Sequence, residues 1–330
     1  MSRHLAVFGG GRMIGPPLLH AAAQSGWQIT VVNRHSPPPP GLANASHLAG
    51  DRGDPRVLEE LAARAPDVVV DLSSYEPEHV EAALAALAAT VQRYLLMSTA
   101  AVYAPGDLLP WTEDQPLGGD PLWGSYGEKK LTNERIAASY TKGVAITVLR
   151  APYIVGHPDF MNRLQFIADR IAAGVAIYVP DSGRSPIQLV SPIDVAGALL
   201  HLCDVEPPVD GTPSAYNIGN AQFASLIGLV RLLAEAMGTR TPTIVPVALE
   251  AVGLGNAPFS WTDMVFPFAD RPYVLDDSRL RATGFRPRLH LEALLSGFVA
   301  QYRAAGGPAR PTPYPAEITA MSLHASQRGV

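Results

Sequence analysis

The sequence predicts an α/β protein with a doubly wound parallel sheet and a smaller C-terminal lobe packed against the strand ends. Two observations support this fold class. Through the first half, short apolar segments alternate with amphipathic ones, which is the pattern of parallel strands joined by right-handed helical crossovers. After Leu149 the pattern changes to helices interleaved with short strands and Pro-rich turns, which indicates an added lobe rather than a longer sheet.

The elements are expected in the following order. Strands are predicted at residues 5–8, 28–32, 47–49, 68–72, 93–97 and 145–149. Helices are predicted from the first glycines to residue 25, at 54–65 and 77–90, from residue 126, and at 161–173, 193–203, 225–237 and 289–304. Pro55 suits the first turn of its helix, where the N–H that proline lacks would have no partner.

Composition and charge exclude several functional classes. The chain carries 25 Lys and Arg against 30 Asp and Glu, so no basic excess is available to bind a nucleic-acid backbone, and we expect no nucleic-acid partner. Cys203 is the single cysteine, and the nine histidines lack metal-ligand spacing, so no metal is expected. Without an apolar stretch of about 20 residues or a signal-peptide pattern, we expect a cytoplasmic protein and no membrane contact.

A glycine-rich segment follows the first predicted strand. Free N–H groups and the positive end of a helix dipole bind pyrophosphate at this place in the Rossmann fold. The spacing departs from G-x-G-x-x-G, because the third position falls on Ile14, and no Gly-Lys-Ser/Thr follows, which excludes a P-loop. A purely structural strand–turn–helix is the alternative. The expected dinucleotide contacts here are Gly9, Gly11, Arg12, Met13, Ile14 and Gly15.

The end of the second strand decides which dinucleotide is expected. NAD-binding folds place Asp or Glu there to hold the ribose 2′-hydroxyl. This chain has Asn33 and Arg34 at that point and no acid. Arg34 and Arg12 are both placed to reach a 2′-phosphate, which a guanidinium binds in bidentate fashion. The residues therefore favour NADP(H) over NAD(H), and a solvated loop charge at Arg34 is the alternative.

Three residues carry the expected chemistry. Thr99 lies in a hydroxyl-bearing turn after the fifth strand, and Tyr126 and Lys130 stand four apart on one helix face. A phenol has an ordinary pKa of about 10, and a neighbouring ammonium stabilises its phenolate, so proton exchange near neutral pH becomes feasible. We expect Tyr126 to exchange the proton, Lys130 to lower its pKa and Thr99 to orient the substrate oxygen.

Together these motifs resemble the short-chain dehydrogenase/reductase superfamily, in its extended or atypical branch, which includes the NAD-dependent epimerases and dehydratases. The resemblance covers about residues 4–305, and the family's Ser/Thr–Tyr–Lys trio maps onto Thr99, Tyr126 and Lys130. Arg12 makes the glycine loop similar to the G-G-T-R-F-I-G variant of the chloroplast stem-loop-binding proteins and their bacterial relatives, some of which are linked to RNA. Further matching segments are Gly50-Asp51-Arg52, residues 149–156, Pro192-Ile193-Asp194-Val195-Ala196, Tyr216-Asn217-Ile218-Gly219 and Asp277-Ser278-Arg279-Leu280-Arg281.

The resemblance implies further dinucleotide contacts. In the family the Lys also holds the nicotinamide ribose, the residue at Ser98 neighbours the nicotinamide ring, and the Asp at position 51 contacts adenine. The remaining expected contacts are Arg52, Leu72, Ser73 and Tyr153. Sugar-nucleotide epimerases usually carry Asn at the position of Tyr153, so the aromatic residue here disfavours a sugar-nucleotide substrate but not the redox chemistry.

Several aromatic residues fall on segments that surround the nicotinamide end of such a site. One interpretation is that their rings form a wall against a flat or apolar substrate. The other is that they pack the interior of the lobe. The candidate substrate contacts are Tyr75, Tyr103, Trp123 and Phe160.

The expected function is an NADP(H)-dependent oxidoreductase that reduces a carbonyl, or oxidises a secondary alcohol, of a small molecule. One alternative is an epimerase or dehydratase of nucleoside-diphosphate sugars that retains its NAD(P). The other is an RNA-binding protein of the stem-loop-binding type with little catalysis. Because family members often pair through a helix bundle, a homodimer is one assembly that the resemblance implies.

The chain is expected to divide into three parts. Residues 1–155 form the dinucleotide-binding core. Residues 156–305 form mostly the substrate-binding lobe, with some elements returning to the core. Residues 306–330 form a Pro-rich tail with at most one short helix.

Overall fold

The computed structural model describes residues 3–140, 143–156, 158–159, 161–255 and 257–327. A seven-stranded, all-parallel sheet forms its centre, in the strand order β11-β6-β5-β4-β1-β2-β3. These strands are β1 (His4–Phe8), β2 (Gln28–Asn33), β3 (Ala45–Ala49), β4 (Val68–Asp71), β5 (Arg93–Thr99), β6 (Ala145–Ala151) and β11 (Ser214–Asn217). The predicted doubly wound fold class is confirmed.

Helices cover both faces of the sheet. In chain order, and including those of the lobe, the helices are α1 (Gly15–Gln24), α2 (Pro55–Ala63), α3 (Pro77–Leu87), α4 (Ser125–Ser139), α5 (Arg163–Ala173), α6 (Pro192–Leu202), α7 (Leu226–Ala236), α8 (Ser278–Ala282), α9 (Leu291–Ala304) and α10 (Pro315–Gln327). On β1, Leu5 and Val7 point into the apolar cluster under α1 and α6, whereas Ala6 and Phe8 point into the cluster under α2, α3 and α4. This alternation follows from the two-residue period of a strand.

A third apolar cluster forms the lobe, where α5, α7 and α9 pack together. The lobe's short strands are β7 (Tyr153–Ile154), β8 (Ile177–Pro180), β9 (Pro186–Ile187), β10 (Leu189–Val190), β12 (Ala224–Ser225) and β13 (Ile244–Val247). Two elements from the second half lie against the central sheet: β11 pairs with β6, and α6 packs against α1. The two halves of the chain therefore share the sheet.

The segment expected as a tail packs against the lobe. Helix α10 buries Ala316 and Ala320, and its Glu317 forms a buried ion pair with Arg170 of α5, with Nη2 and Oε2 2.6 Å apart. Within the described residues, no helix is both long and apolar enough to cross a membrane. In that same part of the chain, no three His, Cys, Asp or Glu side chains form a metal-binding group.

Replacing Glu317 by Ala should cost about 3 kcal/mol of unfolding free energy, because it leaves the Arg170 guanidinium buried without its carboxylate. Urea denaturation measures this loss. The matched control is Glu235→Ala, on an exposed position of α7, which should change stability by less than about 0.5 kcal/mol. Equal small effects of both changes would show that α10 contributes little to the fold.

Candidate functional site

The candidate site lies where β1, β4 and β5 end, because parallel strands place their carboxyl ends along one edge of the sheet. The glycine loop follows β1, the segment from Leu72 to Tyr75 follows β4, and Thr99 is the last residue of β5. Residues far apart in the sequence therefore meet along a single edge.

The glycine loop has the geometry of an anion cradle. Gly9 and Gly10 have φ angles of 96° and 87°, and a Cβ on Gly15 would lie 2.2 Å from the carbonyl oxygen of Gly10. Only glycine fits at Gly15, where α1 approaches the loop. Among the described residues, the N–H groups of Gly10, Gly11 and Arg12 donate to no protein acceptor. They are therefore available to a pyrophosphate, so the cradle fits a dinucleotide.

Other expected contacts surround this loop. Met13 has a left-handed φ of 47°, and Ile14 is buried just before α1. Leu72 and Ser73 lie close enough that a Cβ on Gly9 would contact both at about 3.5 Å. These residues border the cradle. Burial raises the pKa of the nearby Tyr75 phenol, and the charge of the exposed Arg12 side chain acts against that rise.

Asn33 and Arg34, which follow each other at the end of β2, have different surroundings. The Asn33 amide donates to the Gly9 and Ser36 carbonyl oxygens at 2.8 and 2.7 Å, and its oxygen accepts from the Ser36 N–H at 2.6 Å. Asn33 therefore holds the glycine loop against the turn after β2, and its amide is committed to the protein. Arg34 is exposed beside it, and its guanidinium is the group left to meet a ligand here.

Asp51 and Arg52 also have separate roles in the structure. The Asp51 carboxylate accepts the Gly53 N–H at 2.9 Å and its side chain is exposed, as an adenine contact requires. Arg52 is buried, pairs with Asp71 and lies over the Phe8 ring at 4.6 Å. Tyr94 donates to the same carboxylate at 2.6 Å. Arg52 was expected to contact the dinucleotide, but its guanidinium is committed to this internal pair.

The structure brings Thr99, Tyr126 and Lys130 to one place. The Thr99 side chain lies close enough to the Tyr126 hydroxyl to act on the pKa of that phenol, which it lowers. Lys130, one helical turn further along α4, donates to the Ser74 carbonyl and hydroxyl oxygens at 3.0 and 2.8 Å and to the Met97 carbonyl oxygen at 2.6 Å. All three ammonium donors are thus used, and they fasten α4 to the ends of β4 and β5.

The pKa values of Tyr126 and Lys130 differ from the expectation that Lys130 lowers the pKa of Tyr126. Burial of its hydroxyl, followed by the phenol of Tyr75, raises the pKa of Tyr126 to about 12, although its ring is 40% exposed. Burial lowers the pKa of Lys130 to about 8, against the opposing charges of Asp71 and Glu134. Desolvation therefore outweighs charge attraction at both groups, and Lys130 does not bring the pKa of Tyr126 below its ordinary value in this state.

Ser98 and Tyr103 belong to a buried network behind the site. Ser98 donates to Glu134, whose carboxylate pairs with Arg150 at 2.6 Å. Arg150 also donates to the Tyr103 hydroxyl at 3.0 Å, and Tyr103 donates to Asn217 at 2.7 Å. Tyr103 is completely buried. The expectation that Tyr103 faces a substrate is therefore wrong, because both its ring and its hydroxyl are enclosed by the core.

The other aromatic candidates gather around the trio. Tyr75 is 53% exposed, and its ring centre lies 6.0 Å from the Lys130 ammonium. Trp123 and Tyr153 pack edge to face at 5.9 Å, and the buried Trp123 indole N–H has no acceptor among the described residues. Tyr153, expected at the dinucleotide, presents its ring to this aromatic group. Phe160 lies outside the described residues.

Two residues of the site were not predicted from the sequence. Tyr273 is buried, its ring centre lies 5.0 Å from that of Tyr153, and its phenol is close enough to Thr99 for that side chain to act on its pKa. Arg163, the first residue of α5, is 9% exposed and lies over the rings of Tyr153 and Trp261 at 4.8 and 4.3 Å. Neither residue belongs to a motif, and only packing of the lobe brings them here.

This fold and site define a dinucleotide-dependent enzyme of the short-chain dehydrogenase/reductase type. The chain belongs to the NAD dependent epimerase/dehydratase family, whose family model matches residues 5–219. It is 30% identical over 304 residues to the chloroplast stem-loop binding protein of 41 kDa b of Arabidopsis thaliana, an alignment that covers 88% of this chain and 76% of that protein.

Solved structures share the fold at lower identity. UDP-glucose 4-epimerase of Thermotoga maritima, solved with UDP-glucose, has a TM-score of 0.74 and 19% identity over 92% of this chain and 99% of that one. dTDP-glucose 4,6-dehydratase of Bacillus anthracis, solved with NAD, has a TM-score of 0.73 and 18% identity over 92% and 97%. At these identities the likeness establishes the fold alone.

The buried Lys130 should make stability depend on pH. Its folded pKa of about 8 lies below the ordinary 10.5, so between these values the unfolded chain binds a proton that the folded chain does not. Stability therefore rises with pH in that window. Relative to Lys130→Met, the wild-type unfolding free energy should rise by up to about 3 kcal/mol across it, as measured by urea denaturation.

Thr132→Met, at an exposed and non-titrating position of the same helix, serves as the control for this experiment. Its difference from wild type should stay constant with pH. A constant difference for Lys130→Met as well would show that the ammonium is not desolvated.

Proposed function

We propose that this protein transfers hydride between NADP(H) and the carbonyl or secondary alcohol carbon of a small molecule. The observation that carries the proposal is the meeting of the Thr99 and Tyr126 hydroxyls beside the glycine loop, with Lys130 buried one turn away. A proton donor, an orienting hydroxyl and a dinucleotide cradle are the groups that this chemistry requires from a protein.

The residues that would hold the dinucleotide are those of the cradle. The free N–H groups from Gly10 to Arg12 would face the pyrophosphate, and Asp51 and Arg34 would lie towards the adenosine. Ser73 and Lys130 lie on the path to Tyr126. When bound, the dinucleotide supplies or accepts the hydride.

In the reducing direction, the chain's own groups complete the reaction by moving one proton. Thr99 orients the substrate oxygen, and Tyr126 gives its phenolic proton to that oxygen as negative charge develops there. The resulting phenolate takes its next proton from water, which can approach because Tyr126, taken as a whole residue, is 40% exposed. A phenol with a pKa of about 12 remains protonated at neutral pH, so it is ready to donate.

A nearby ammonium would favour the phenolate in the oxidising direction. The Lys130 ammonium is held by three protein oxygens, which fix its position while it carries the charge. With a pKa of about 8, it is mostly protonated at neutral pH. A ribose hydroxyl could exchange for one of these oxygens as the acceptor, since an ammonium has no directional preference among oxygen partners.

Tyr126→Phe should remove at least 99% of turnover, because it deletes the proton donor, and should change dinucleotide affinity less than about threefold. Turnover is followed by NADPH absorbance and affinity by calorimetry. Tyr140→Phe, at the C-terminal end of the same helix, is the matched control and should retain full activity. Wild-type turnover in Tyr126→Phe would remove Tyr126 from the mechanism.

Arg34→Ala tests the preference for NADP(H). Loss of a charge-assisted contact to the 2′-phosphate should weaken NADPH binding by about ten- to hundredfold and leave NADH binding within about threefold. Arg56→Ala, an exposed arginine at the start of α2, should leave both unchanged. Equal losses for the two dinucleotides would contradict the preference.

A second candidate is a sugar-nucleotide epimerase or dehydratase that regenerates its dinucleotide in each cycle. It is favoured by the structural neighbours, one of which was solved with UDP-glucose and another with NAD. The two candidates differ in net consumption of NADPH. Product formed from a sugar nucleotide without any change in NADPH absorbance would replace the first proposal with this one.

A third candidate, RNA binding, is favoured by the name of the Arabidopsis relative. The formal charge of −5 opposes it, because phosphate contacts require a basic surface. RNA affinity that falls steeply with salt, in a protein that turns over no carbonyl compound, would establish this candidate instead.

A further inference from the structure

Arg163 occupies a cage of aromatic rings next to the reacting hydroxyls. Its guanidinium carbon lies 4.8 Å from the centre of the Tyr153 ring, 4.3 Å from that of Trp261 and 5.3 Å from that of Phe268. We call these four residues the arginine cage. Aromatic faces attract a cation but do not accept its hydrogen bonds in plane, so the cage positions the guanidinium without using its donors.

The Arg163 guanidinium has more donors than it has acceptors among the described residues. Nη1 donates to the Pro267 carbonyl oxygen at 2.7 Å. In the described part of the chain this is the one hydrogen bond of the Arg163 side chain, although a guanidinium carries five N–H groups and the residue is 9% exposed. A charge-bearing group that is nine-tenths buried with most donors unused is costly unless a ligand completes it.

The beginning of α5 adds to this deficit. Arg163 is the first residue of the helix, and the N–H groups of Leu164 and Gln165 have no acceptor among the described residues. Asp159 is the acid at this helix end, and its carboxylate accepts the N–H groups of Met161 and Arg163 at 2.8 and 3.2 Å. Within the described part of the chain, two N–H groups without an acceptor and the positive end of the helix dipole therefore lie beside the guanidinium.

Three other charged side chains lie near the cage, namely Asp120, Arg271 and Asp159. Asp120 pairs with Arg271, and this pair acts on the Tyr153 phenol with opposite signs. Burial lowers the pKa of Arg163 in spite of the opposing effects of Tyr153 and Asp159, which means that the protein alone compensates its charge incompletely. An added anion would supply the missing compensation.

The cage is connected to the catalytic hydroxyls by direct packing. The centres of the Tyr153 and Tyr273 rings lie 5.0 Å apart, and Thr99 is close enough to act on the phenols of both Tyr273 and Tyr126. The Arg163 charge is also close enough to act on the Tyr126 phenol. A ligand held by Arg163 would therefore place its neighbouring carbon near Thr99 and Tyr126.

We infer that Arg163 binds an anionic group of the substrate, a carboxylate or a phosphate, next to the carbon that reacts. This inference rests on the proposed function, because it names the class of molecule that the same site takes. A planar guanidinium with a free edge binds both groups in bidentate fashion. The substrate class is then an oxo or hydroxy compound that carries an acidic group near its reacting carbon.

Anion binding by the free protein tests the inference without turnover. The probes are malonate and inorganic phosphate, which separate carboxylate from phosphate, and malonamide as the neutral analogue of malonate. Tryptophan fluorescence is the readout, because Trp261 lies in the cage and Trp123 packs against Tyr153. We expect saturable quenching by at least one anion, none by malonamide, and at least a tenfold loss of affinity in Arg163→Gln.

Two further variants separate binding from folding. Arg163→Lys keeps the positive charge but loses the planar guanidinium that binds an anion through two N–H groups. It should therefore bind the anion more tightly than Arg163→Gln does and less tightly than the wild type. Arg279→Gln, a 45% exposed arginine paired with Glu113 and Asp114, is the matched control and should bind as wild type does. Thermal unfolding without anion shows whether each variant is folded.

The outcomes distinguish this inference from the proposed function. Anion binding that depends on Arg163, in a protein that reduces no carbonyl compound, would keep the anion site and overturn the proposed reaction. Equal quenching of wild type and folded Arg163→Gln, or no saturable quenching of the wild type, would overturn the anion site. Faster turnover of carboxamide substrates than of the matching carboxylic acids would also overturn the anion site.

Discussion

The buried ammonium of Lys130 is the contact on which the geometry of the site depends. It joins one helix to the ends of two strands, since it donates to Ser74 after β4 and to Met97 of β5 from its position in α4. Tyr126 stands one turn earlier on that helix, so fixing Lys130 also fixes the phenol against Thr99. Asn133 and Glu134 of the same helix add hydrogen bonds to Ser74 and Ser98, so without Lys130 the helix would keep fewer polar contacts to the strand ends and a less defined register.

Buried carboxylates on two sides act on the Lys130 charge. Asp71 pairs with Arg52 and accepts from Tyr94, and Glu134 pairs with Arg150. Both carboxylates raise the pKa of Lys130, but burial lowers it by more than they raise it. The result is an ammonium that is mostly charged at neutral pH, with a pKa of about 8 that lies below the ordinary lysine value.

The lobe contributes two residues to the site. Its residues Arg163 and Tyr273 reach the end of β5 through packed aromatic rings, and the Arg163 side chain is held by the carbonyl oxygen of Pro267, 104 residues away. The sheet edge thus carries the Thr–Tyr–Lys trio and the glycine loop, whereas the lobe carries the residues to which we assign substrate selection. This division follows the general rule that chemistry on a fold is varied through the residues placed over a constant scaffold.

Local pattern alone determined the parallel sheet, the glycine cradle and the positions of Thr99, Tyr126 and Lys130, because strand runs, a close helix approach and a four-residue spacing are properties of neighbouring residues. The tertiary structure decided that Tyr103 and Arg52 belong to the core, that residues 315–327 pack on the lobe, and that Arg163 joins the site. It also decided the pKa directions of Tyr126 and Lys130, since desolvation depends on the whole surrounding protein and not on neighbours in sequence.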